Sequence, residues 1–132
     1  MKYYTRLKVY KANNVLFDTV TKTATSYGWW EFVKDFNGVL VFNDYNYSVS
    51  TCKHQAKVRT VLHELGYSYI TIKCPSGLQN MDSAVNYYQF EISKLRALIL
   101  KPGTHKAKND ERKCVIKKYK AKLEQIVLLK SV

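Results

Sequence analysis

Two prolines, five glycines and three cysteines in 132 residues leave this chain poor in everything that breaks or staples a fold. There is no repeat and no low-complexity tract, so collagen-like and disordered polymers are excluded. Cys52, Cys74 and Cys114 lie 22 and 40 residues apart, a spacing that fits neither a disulfide framework nor C-x-x-C zinc ligation. Free thiols in a reducing cytoplasm are the expectation. No apolar run approaches the roughly 18 residues that span a bilayer, and "MKYYTRLKVYKANN" lacks the apolar h-region of a signal peptide. The chain is expected to be cytoplasmic and to have no membrane partner.

Catalytic signatures are missing as well. There is no Walker loop, no dinucleotide fingerprint, no nucleophile elbow, and no second histidine at zincin spacing after His63-Glu64. No catalytic residue, metal ligand or cofactor is therefore assigned, and a non-enzymatic protein is expected.

Acid is scarce too: 10 Asp plus Glu against 22 Lys plus Arg give a net charge of +12. Of the 22, only Arg6, Arg59, Arg96 and Arg112 are arginine, which leaves 18 lysines. A field of this sign draws polyanions. Lysine suits phosphate contact, whereas bidentate reading of guanine prefers arginine. The expected partner is thus nucleic acid, DNA or RNA, held by its backbone without strong sequence specificity. The competing reading is that the charge serves solubility alone. Residues 101 to 132 carry ten of the basic residues against Asp110, Glu111 and Glu124, so the excess there is +7.

What is present is an ordinary globular composition, 46% hydrophobic and 24% charged, of a length usual for one domain. Periodicity divides it into sheet plus helix over 1–75 and a helical pair over 80–132. Arg6 to Tyr10 and Val15 to Thr21 read as strands joined at Asn13 and Asn14. In "WWEFVKDFNGVLVFNDYNY" the Asn37-Gly38 dipeptide between β-formers signals a two-residue type I′ hairpin. That register pairs Phe36 with Val39, Lys34 with Val41, Val33 with Phe42, Phe32 with Asn43 and Trp30 with Tyr45. It also sets Glu31 opposite Asp44, two carboxylates that need a cation, a shared proton or water.

From Ser50 to Leu65 the apolar period becomes helical, with Gly66 as the stop. "YSYITIKC" alternates as a further strand, Ile70 and Ile72 on one face and Tyr67, Tyr69, Thr71 and Lys73 on the other. Helices are expected from about Met81 to Leu100 and from near Asp110 onward, separated by the polar link "GTHKAKND". The expected class is α+β: a small antiparallel sheet of two hairpins plus one further strand, one helix across it, then two C-terminal helices.

Candidate sites follow from this outline. At the start of the first helix, Ser48, Ser50 and Thr51 can cap amides or hold an anion, with Lys53 and Lys57 on one flank. His54 falls on the apolar stripe between Val61 and Leu65, which marks it as a buried histidine bonded to a carbonyl or hydroxyl. Cys52 and His63 share the outer side but stand about 16 Å apart along the axis, too far for a thiol and its base. Tyr67 and Tyr69, with Lys73 beside them, are candidates for stacking bases or equally for packing under the terminal helices. Lys113, Lys117, Lys118, Lys120 and Lys122 flank the apolar stripe of the last helix. The expected nucleic-acid contacts are therefore Ser50, Thr51, Lys53, Lys57, Tyr67, Tyr69, Lys73 and these five lysines.

The W-x-F hairpin, the F-N-x-Y-x-Y-S segment and the K-H-Q helix start within Trp29 to Tyr67 resemble a pattern seen in small accessory proteins encoded by bacteriophages. The resemblance covers under a third of the chain. It implies a host-cell cytoplasm and a role in nucleic-acid metabolism or in blocking a host defence, and it carries no catalytic roles. An alternative expectation follows: an inhibitor of a host defence ribonucleoprotein or nuclease complex, acting on its protein or its guide RNA. A third is a metal-dependent nuclease using His63 or the Glu31/Asp44 pair.

Overall fold

A computed structural model describes residues 9–12 and 14–131 and shows an α+β architecture. Six strands, β1 (Val9–Ala12), β2 (Val15–Asp18), β3 (Thr23–Ser26), β4 (Trp30–Phe36), β5 (Val39–Asn43) and β6 (Ile70–Ile72), form one sheet in sequence order. The helices are α1 (Val49–Glu64), α2 (Asp82–Leu100) and α3 (Lys106–Lys130). The first five strands run as an antiparallel meander, and β6 joins the edge parallel to β5.

The hairpin at Asn37-Gly38 forms as its chemistry dictates: both residues take positive φ, 51° and 95°, as a type I′ turn requires. Gly38 N–H donates to Asp35 Oδ1 at 3.0 Å. The strands pair Phe36 with Val39, Lys34 with Val41 and Val33 with Phe42, the expected register. It ends there. Where β4 meets β3, Ala24 pairs with Val33 but Thr25 with Glu31, so Phe32 is the extra residue of a bulge. The bulge lets the adjacent Phe32 and Val33 both enter the same core.

Three sequence expectations are corrected. The sheet is not wholly antiparallel, because α1 carries the chain across one face between β5 and β6 and returns it in the same direction. An unforeseen strand, β3, lies between the two expected hairpins. Its Ala24 and Ser26 are small enough to be fully buried beneath α1. Finally, α3 begins at Lys106, so only five residues separate it from α2, and most of the supposed polar link is helix. The expected strand residues 6–8 and Asn13 lie outside the described residues.

Two cores result. Val15, Phe17, Trp30, Phe32, Leu40 and Phe42 pack with Val58, Val61 and Leu62 of α1. On the other face Val41 and Ile72 pack with Leu78, Ala84, Tyr88, Ile126 and Leu129, which brings in α2 and α3. The unbroken apolar run Val39–Phe42 is what a strand covered on both faces needs. α2 and α3 form an antiparallel helical hairpin, with Lys130 at the end of α3 ion-paired to Asp82 at the start of α2. Among the described residues no helix is long and apolar enough to cross a membrane.

Candidate nucleic-acid interface

α1 starts after Ser48, whose Oγ accepts from Thr51 N–H at 3.1 Å as an N-cap should. The hydroxyls then run inward. Ser48 Oγ donates to Thr51 Oγ1 at 3.0 Å, and Ser26 Oγ lies 3.3 Å from Thr51 Oγ1 and 2.7 Å from His54 Nδ1. Thr51 and His54 are buried. Thr51 is therefore spent on tying the helix to β3, which corrects its place among the anion contacts. His54 is the buried, hydroxyl-bonded histidine that its place on the helix called for. Ser50 and Lys53 remain exposed and Lys57 is half-buried.

The hypothetical pairs of reactive groups are not assembled. Cys52 Sγ donates to Asn46 Oδ1 at 2.9 Å, and His63 Nε2 meets Tyr69 OH at 3.3 Å. Glu31 and Asp44 are not cross-strand partners: cross-strand pairing of β4 with β5 stops at Val33–Phe42. Glu31 instead lends its backbone to the segment before α2, through Leu78 N–H to its C=O and its own N–H to Gln79 Oε1. Asp44 pairs with Lys73 at 3.4 Å. Among the described residues no three His, Cys, Asp or Glu side chains cluster as metal ligands.

Tyr67 and Tyr69 are not an open stacking face. Both are half-buried against the core under α1, with the Lys22 ammonium 5.1 Å over the Tyr67 ring. Tyr69 is held between Phe42 and His63, at 5.3 Å and 6.1 Å. Packing wins here because the segment leading into β6 runs against the core under α1, so the face that reads as outer is a second inner one.

Three of the expected lysines do converge. Lys73, just past β6, and Lys118 and Lys122 of α3 line a cleft of about 300 Å³ together with Asp44, Thr71, Tyr88 and Tyr119. Lys122 Nζ donates to Thr71 C=O, which anchors α3 to β6. Tyr88 OH accepts from Lys73 N–H at 2.8 Å. Burial, above all, raises the Tyr88 phenol from its ordinary value, and also that of Tyr87. A tyrosine ladder backs the cleft: Tyr45 on Tyr87 at 5.8 Å, Tyr87 on Tyr88 at 5.2 Å, and Tyr88 on Tyr119 at 5.3 Å. Thr71, Tyr88 and Tyr119 are cleft walls that sequence reasoning missed. Tyr88 and Tyr119 fall inside the two expected C-terminal helices, and nothing local says that those helices meet at a cleft.

The other α3 lysines run elsewhere. With roughly 100° between successive residues, Lys113, Lys117 and Lys120 fall within about 60° of one another and roughly 150° from the Lys118/Lys122 pair. All three are exposed. Ser50, Lys53 and Lys57 sit on α1, across the sheet from α3, so the expected contacts divide into a cleft, an outer track and a separate patch on the opposite layer. Comparison with protein-family models, curated proteins and solved structures returned no match.

Proposed function

We propose that this chain is a non-enzymatic nucleic-acid-binding protein that grips phosphates through α3 and the cleft beside it. The observation that carries the reading is the convergence of Lys73, Lys118 and Lys122 on one cleft, on a chain of net charge +12. Three ammonium groups against the single carboxylate of Asp44 leave a net charge of +2 there. Lys113, Lys117 and Lys120 add a second positive stripe on the outer side of the same helix. Lysine-rich contact of this kind positions a strand and does not read its sequence.

The test is affinity for duplex and single-stranded DNA and RNA across a salt series. Log affinity should fall linearly with log salt, with a slope of about −0.9 per phosphate contact on duplex DNA. Weak binding without a salt slope overturns the reading.

A second reading, an inhibitor of a phage host's defence complex, is favoured by apolar surface near the ends of the helical hairpin. Leu98, Leu100, Val127 and Leu128 are exposed there, and surface of this kind suits protein contact. A stoichiometric host partner retained after nuclease treatment would favour it over nucleic-acid binding.

A further inference from the structure

Three aromatic rings stand half out of the fold at one end of the sheet, where neither core encloses them. Tyr27, Trp29 and Tyr47 are 50%, 49% and 50% exposed. They lie in the β3–β4 turn and in the segment that leads from β5 into α1, and β4 and β5 are antiparallel, so both loops share that end. Each ring is steadied on one side and open on the other. Trp29 meets Tyr47 edge to face at 5.7 Å, Tyr47 leans on the buried Trp30 at 5.4 Å, and Tyr27 lies 5.3 Å from the His54 ring. Tyr27 also holds φ at 55°, a left-handed conformation that bulky residues avoid.

The surroundings select the occupant. Residues 27–30 and 45–56 contain no Asp or Glu, and the first turn of α1 has no acid, while Lys53 is exposed one turn after the exposed Val49. Three half-exposed rings offer roughly 200–400 Å², well short of the ~800 Å² per partner of a stable protein interface. Exposed π-faces on a strongly basic chain, with the exposed Lys53 on the helix that follows, match bases joined by phosphates.

We infer that Tyr27, Trp29 and Tyr47 form a stacking platform for the unpaired bases of single-stranded nucleic acid. The inference rests on the nucleic-acid reading above and adds to it a second contact, on the layer away from the lysine cleft, and a preference for single strands.

Tryptophan emission tests it, because Trp30 is buried with its indole N–H bonded to Pro75 C=O at 3.0 Å, so quenching by a ligand reports Trp29. The full chain is titrated with oligothymidylate, with duplex DNA and with inorganic polyphosphate. Oligothymidylate should quench, and polyphosphate should bind without quenching. Trp29→Leu and Tyr47→Leu should each weaken oligothymidylate binding by about 5- to 150-fold, the range typical of one lost stack, and leave duplex affinity and its salt slope unchanged. Unchanged oligothymidylate affinity in both variants overturns the platform and leaves the phosphate reading standing. Failure to bind any nucleic acid at low salt overturns both.

Discussion

His54 Nδ1 stands 2.7 Å from Ser26 Oγ, a buried bond that pins the first turns of α1 to the last residue of β3. The residue most suggestive of catalysis in the helix opening is thus a structural tie. Ser26→Ala removes this bond and the neighbouring contact to Thr51, at an expected cost of about 1–3 kcal/mol. Urea unfolding should register it, and polyanion affinity should not change.

Under the proposed phosphate-binding reading, the two lysine groups of α3 should make separable contributions. Reversing Lys113, Lys117 and Lys120 to Glu should flatten the duplex salt slope by roughly 2 to 3 units if each meets one phosphate. Lys73→Gln with Lys118→Gln should lower affinity as well, while Lys122 keeps β6 joined to α3 through Thr71. Equal affinity of all these variants with the wild-type chain, measured by fluorescence anisotropy, would place phosphate binding elsewhere.

Asn43 carries the β5–β6 pairing past Ile72 with its side chain. Its Nδ2 donates to Cys74 C=O at 2.8 Å, while its Oδ1 accepts from Cys74 N–H at 2.9 Å and from Tyr45 N–H at 3.1 Å. Asn43→Ala strands buried backbone groups at Cys74 and opens a cavity, so a loss of about 2–4 kcal/mol is expected. The denaturation midpoint should fall accordingly, and by more than for Ser26→Ala.

Alkaline pH should weaken the fold through Tyr88. The unfolded phenol loses its proton near the ordinary value of 10.0, whereas burial holds the folded one protonated to higher pH. Between those two points the folded state binds more protons, so stability falls as pH rises. Urea midpoints at about pH 9 and about pH 11 should differ, and Tyr88→Phe should reduce the difference. Some decline should remain, because the Tyr87 phenol is also raised.

Local chemistry was legible in the sequence. The Asn37-Gly38 turn, the Ser48 cap and the Gly66 stop at φ 76° all follow from what a few neighbouring residues demand of the backbone. So does the inward aim of His54, since a helical wheel needs only one helix. The α+β class follows from the change of apolar period between 43 and 50.

What joins distant segments was decided only by the tertiary structure. A three-residue strand such as β6 carries no mark of which neighbour it pairs with, and α1 makes that pairing parallel. Tyr67 and Tyr69 alternate correctly with Ile70 and Ile72, yet each pair packs against a different core, so the apparent outer face is a second inner one. Glu31 and Asp44 would face each other in an unbroken ladder, but β5 has done its pairing by Asn43 and the segment before α2 takes the place beside Glu31. The cleft exists because Lys73 and Lys118 are brought together from 45 residues apart in the chain. Composition and period set the charge, the class and most elements, because those depend on near neighbours. Packing of α1 and the α2–α3 hairpin on opposite faces of one sheet decided which lysines and tyrosines meet.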